Sequence, residues 1–183
     1  MSRLTTRELA TAALFTALIS VAAFVAIPVG SVPFTLQVYV VLLAGMVLGP
    51  RLGTLSVAAY LVLGLAAPVY AGGGSGLGVL LGPTGGYLWG FIGAALVAGL
   101  ISHRGESTVQ RLLVAGLAGL VPIYALGASW LAVQLGLSAG TAVLTGVVPF
   151  VWIDAVKAVA AAFTARAVVS LPLGLPAAYR RGR

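Results

Sequence analysis

The chain has 183 residues, 61% of them hydrophobic and 7% charged, with a formal net charge of +7 and a mean hydropathy of +1.14. Soluble domains carry about 25% charged residues, so ten basic and three acidic side chains cannot build a water-facing surface here, and lipid must be the main solvent. The absence of cysteine excludes disulfides, thiolate nucleophiles and Cys-type zinc sites, and arginines at the ends of apolar runs fit membrane orientation rather than nucleic-acid binding.

A spanning helix needs about 20 mostly apolar residues. The first run extends from Leu9 to Ile27 and is closed by Pro28. No Ala-x-Ala-like cleavage site follows a short core, so this run reads as a retained span rather than a signal peptide. Ala13 and Ala17 stand four residues apart in it, a spacing that lets another helix approach closely. That helix belongs either to this bundle or to a partner subunit.

The second run, Leu36 to Leu48, is short and ends at Gly49-Pro50-Arg51. The third covers about Leu52 to Ala67 and ends at Pro68. A Gly-rich stretch precedes the fourth, Gly85 to Ser102. The fifth, Val109 to Leu135, is long enough to tilt or to break at Pro122, and the sixth runs from Thr141 to Val169. The expectation is an all-α integral membrane protein, one six-helix domain over residues 1–183.

Loop charge orients the bundle. With six spans, Arg3, Arg7, Arg51, Arg104, Arg111, Arg166, Arg180, Arg181 and Arg183 all fall on one side, while the opposite loops, about 28–35, 68–84 and 136–140, carry no charge. The positive-inside rule therefore predicts cytoplasmic N- and C-termini. His103 falls at a predicted helix end beside Arg104 and reads as an interfacial residue, not a metal ligand.

Two ionisable side chains remain at membrane depth, Asp154 and Lys157. Counted from Thr141, Asp154 lies roughly 20 Å from the outer helix end. Each charge costs about 2.5–3.5 kcal/mol at a helix centre. The i,i+3 spacing puts both on one face, where they can neutralise each other. Either they form a closed pair that holds the last helix to its neighbours, or they line a ligand-filled cavity. In the second case the carboxylate accepts N–H groups and the ammonium meets an acceptor oxygen.

The uncharged loops are the other feature. Residues 28–37, Pro-Val-Gly-Ser-Val-Pro-Phe-Thr-Leu-Gln, and the stretch that opens with Pro68-Val-Tyr-Ala-Gly-Gly-Gly read as caps over the mouth of a cavity, with ordinary flexible turns as the bland alternative. Gly74-Ser-Gly-Leu-Gly is not a nucleotide loop, since no Gly-Lys-Ser/Thr follows. One Asp and one Lys at membrane depth are too few for hydrolysis or phosphoryl transfer, so an enzyme is not expected. A passive channel would need a continuous polar lining, which the runs lack.

Val32-Pro-Phe-Thr-Leu-Gln37, the Gly-rich Pro68-Val-Tyr-Ala-Gly-Gly-Gly74, Leu81-Gly-Pro-Thr-Gly-Gly-Tyr-Leu88 and Asp154-x-x-Lys157 together resemble the BioY family, the biotin-specific substrate-binding (S) subunits of energy-coupling-factor (ECF) transporters. The likeness covers essentially the whole chain. It implies a six-helix subunit of a prokaryotic cell membrane that captures biotin on the outer side, has no ATPase of its own and needs no cofactor. It also implies partners, a membrane coupling (T) protein and two cytoplasmic ATPases. Asp154 and Lys157 carry over as ligand-binding residues, and Ala13 and Ala17 as the contact for the coupling protein. For the ligand itself, Asp154 would accept ureido N–H groups and Lys157 would meet the carboxylate or the ureido oxygen. Backbone N–H groups at Gly73 and Gly74, or near Gly85 and Gly86, could hold the carboxylate. Tyr87 would pack on the bicyclic ring, with Thr35 and Gln37 at the lid. An S subunit for another vitamin, or a small-solute channel, stands as the alternative.

Overall fold

The computed structural model describes residues 4–105 and 108–171, so Arg3, Arg180, Arg181 and Arg183 lie outside it. Helix α1 (Thr6–Phe24) starts at a capping box: the Glu8 N–H donates to Thr5 Oγ1 at 3.2 Å, and the Thr5 N–H donates to Glu8 Oε2 at 2.8 Å. Its inner face carries Phe15, Thr16 and Ile19.

The first helix ends at Phe24 and not at Ile27, because Ala26 and Ile27 join the stretch read as a cap in a β-hairpin, β1 (Ala26–Val29) paired antiparallel with β2 (Val32–Thr35). Gly30, at φ 60°, makes its turn. This hairpin is the one departure from an all-helical fold among the described residues.

Helix α2 (Gln37–Leu63) reverses at Gly49, whose φ of 82° and ψ of 176° are open only to glycine, and Pro50 begins the return arm. In a straight helix Gln37 and Tyr60 would be roughly 35 Å apart. Here Gln37 Nε2 donates to Tyr60 Oη at 2.7 Å. The arms touch at glycines, a Cβ on Gly53 coming within 2.8 Å of the Gly45 Cα. The break expected at Gly49-Pro50 is thus present, and the His103 ring packs on it, its Nε2 being 3.1 Å from the Met46 carbonyl. The return arm stops at Leu63 rather than Ala67, because bonds from Ala66 and Ala67 both turn onto the Leu63 carbonyl.

Residues 71–73 form a short 3-10 turn and Leu77–Leu81 a one-turn helix, α3. Helix α4 (Gly85–Ser102) packs between α2 and α5 (Val109–Leu135). α5 runs unbroken through Pro122. Close packing again relies on glycine: a Cβ on Gly90 would lie 2.7 Å from the Ile123 Cα.

The last apolar run is not one helix. It divides into α6 (Ala139–Gly146) and α7 (Val148–Ser170), with Val147 at φ −121° between them and Pro149 in the first turn of α7. Asp154 therefore sits six residues into α7, about 9 Å from its start, and not roughly 20 Å from a helix end. Among the described residues five elements, α1, α2, α4, α5 and α7, are long and apolar enough to cross a membrane. Their outward faces hold residues such as Val133 (79% exposed), Trp152 (77%) and Val156 (66%), an arrangement suited to lipid.

Candidate functional site

Helix α7 presents Asp154 and Lys157 on one buried face. Lys157 Nζ donates to Asp154 Oδ1 at 2.7 Å and to the Thr35 carbonyl at 2.6 Å, and it lies 3.6 Å from the centroid of the Phe34 ring. An ammonium has three N–H donors. A carboxylate, a strand carbonyl and an aromatic face account for three directions. The other oxygen of Asp154 accepts the Tyr124 hydroxyl at 2.6 Å. Helix α5 thus holds the carboxylate from one side while α7 holds it from below, and the β2 strand roofs the ammonium.

Asp154 and Lys157 pair with each other and also face space. They line a cleft of about 380 Å³, counted with its open mouth, together with Phe34, Tyr87, Ile123, Tyr124 and Phe150. An apolar aromatic wall with a few convergent polar groups is the usual form of a small-ligand site. Tyr87 is fixed at its floor, its hydroxyl donating to the Gly146 carbonyl at 2.9 Å and its ring filling the room that Gly127 leaves.

A second cleft of about 480 Å³, likewise counted with its open mouth, adjoins the first across Val32, Pro33, Thr35, Tyr87 and Phe91. Its own residues include Gln37, Tyr70, Ala71 and Thr84. Gln37 is 2% exposed and is held at both ends: its Oε1 accepts from Thr35 Oγ1 at 3.2 Å, and its Nε2 donates to Tyr60. Tyr70 anchors the Gly-rich stretch by donating to the Leu61 carbonyl at 2.6 Å, and burial raises its phenol above the ordinary tyrosine range.

The structure therefore gathers Asp154, Lys157, Tyr87, Thr35 and Gln37 around two joined clefts. Gly73, Gly74 and Gly86 are not among the lining residues. The N–H groups of Gly73 and Gly74 close local turns onto Tyr70 and Ala71, and that of Gly85 bonds the Gly82 carbonyl. Gly86 faces α5, close against Trp130. Ala13 and Ala17 are exposed on the outer face of α1. Tyr124, Phe34 and Phe150 were missed from sequence. A tyrosine in the middle of an apolar run, two residues after Pro122, was the available signal for the first.

The sequence model of the BioY family matches residues 1–172. The chain belongs to the BioY family. It is 49% identical over 160 residues to the biotin transporter BioY of Thermotoga maritima, covering 87% of this chain and 94% of that one. Against the biotin transporter BioY of Rhizobium etli it is 40% identical over 188 residues, covering 95% and 99%. A crystal structure described as the S-component for biotin from an ECF-type ABC transporter matches this BioY-family fold with a TM-score of 0.83 at 30% identity, over 92% of this chain and 96% of that one. With these relatives and its apolar helices, the chain is a multi-pass membrane protein.

Proposed function

We propose that this chain is the biotin-binding S subunit of an ECF-type importer in a prokaryotic cell membrane. The observation that carries the reading is Asp154 and Lys157 lining a cleft, braced by Tyr124 and roofed by β2. A urea matches that pair, since its N–H groups suit the carboxylate and its C=O suits the ammonium. Aromatic and aliphatic walls suit the rest of the vitamin. The names of the relatives support biotin over another vitamin.

Counting the two arms of α2 separately gives six crossings. Both termini are then cytoplasmic, in agreement with the one-sided arginines. The clefts lie at the opposite, outer end, capped by the hairpin and the Gly-rich stretch. Transport draws on a membrane coupling protein and two ATPases, and the exposed Ala13 and Ala17 are the docking surface for the coupling protein. Calorimetric titration of the purified chain with biotin tests the core of this reading. Saturable one-site binding supports it, and no heat or competition at millimolar biotin refutes it.

A further inference from the structure

Resting on the biotin reading above, we infer that the second cleft is an uncharged tail subsite, so that the chain also takes biotin derivatives whose carboxylate is replaced by a neutral amide. The argument begins with charge at the first cleft. Asp154 and Lys157 sum to zero and stand 2.7 Å apart. A carboxylate brought to Lys157 would also meet the Asp154 anion, whereas a neutral urea meets both partners favourably. The ureido ring therefore belongs at the ion pair, and the tail is directed elsewhere.

The adjoining cleft is the continuation available to it, across the shared Thr35, Tyr87 and Phe91. No lysine, arginine or histidine lines that cleft among the described residues. Its polar side chains are Thr35, Gln37, Tyr70, Thr84 and Tyr87, and the Tyr70 and Tyr87 hydroxyls already donate to the Leu61 and Gly146 carbonyls. Thr35 already donates to Gln37 and Gln37 to Tyr60, but the second Gln37 N–H, the spare lone pairs and the Thr84 hydroxyl still offer donors and acceptors alike. A carboxylate uses donors only, while a carboxamide uses both. At the nearby start of α4 the Gly85 and Tyr87 N–H groups already bond the Gly82 and Thr84 carbonyls. The free acid has no cationic partner here to lose on amidation.

The test is calorimetry, or competition against labelled biotin, on the purified full-length chain with biotin, biotin carboxamide and biotin methylated on a ureido nitrogen. The carboxamide is expected to bind within about tenfold of biotin, while ureido methylation abolishes binding. Biotin bound and the carboxamide weakened more than about tenfold overturns the tail subsite and leaves the biotin reading standing. No binding of biotin itself removes both. Gln37→Glu supplies a second measurement: a new anion in the tail cleft should weaken biotin about tenfold more than the carboxamide. Equal losses for the two ligands overturn the inference.

Discussion

Separating the ion pair into its stabilising and its binding parts is the most direct probe of this site. Lys157→Met removes the ammonium but keeps the length of the stem. Asp154 is then left 5% exposed with the Tyr124 hydroxyl still bonded to it, and breaking a buried pair in this way costs about 3–5 kcal/mol. The Thr35 carbonyl also loses its 2.6 Å donor, adding about 1–3 kcal/mol if water does not replace it. Asp154→Asn is the mirror case. It strands an ammonium that keeps the Thr35 carbonyl and the Phe34 ring, and it leaves Tyr124 an amide oxygen to bond. In the double variant neither charge is stranded, so its stability should recover by about 3 kcal/mol or more relative to the sum of the singles. Binding should not recover, because both proposed ligand anchors are gone. The assay pairs thermal unfolding in detergent with biotin titration for the wild type, both singles and the double. Strictly additive losses of stability would deny the direct pairing. A double variant with wild-type affinity would reduce the pair to a structural staple.

Three further outcomes are expected. Tyr124→Phe should weaken biotin about tenfold or more, a hydrogen bond to a charged group being worth ~1.5–3 kcal/mol. It should cost little further in an Asp154→Asn background; an equal loss there would mean that Tyr124 acts apart from the carboxylate. Ala13→Trp and Ala17→Trp, on an exposed face, should leave affinity within about twofold yet block co-purification with the coupling protein, and intact complexes would move the docking surface elsewhere. Gly49→Ala should destabilise the chain by about 1–3 kcal/mol, since its φ is 82° and a Cβ would stand 3.1 Å from the His103 ring; an unchanged unfolding midpoint would contradict the turn geometry.

Legibility from sequence followed how far each feature depends on local pattern. The apolar runs located α1, α4 and α5, because lipid demands long uninterrupted hydrophobic stretches. Gly49-Pro50 marked the reversal of α2, because positive φ and a missing N–H are local properties of those residues. Asp154 and Lys157 stood out, because charge in lipid is costly enough to need a reason. The hairpin was hidden: Pro28 and Pro33, which face each other in its register, argue against a strand by propensity. The division at Val147 was hidden too, since hydropathy does not change across a backbone break, although Pro149 marked the new helix start. Tyr124 reads as one more aromatic in a core, and only the approach of α5 to α7 reveals its carboxylate partner.

Lys157 is already satisfied by groups of its own chain, and two of its three contacts come from the hairpin roof. Cargo reaching this amine cannot simply add a bond; it has to take over a place that the backbone of Thr35 or the ring of Phe34 holds. On the proposed site, capture is thus an exchange that requires the roof to give up one of these contacts. The rate of uptake into the cleft should level off as vitamin concentration rises, with the plateau set by the protein's own opening rather than by diffusion.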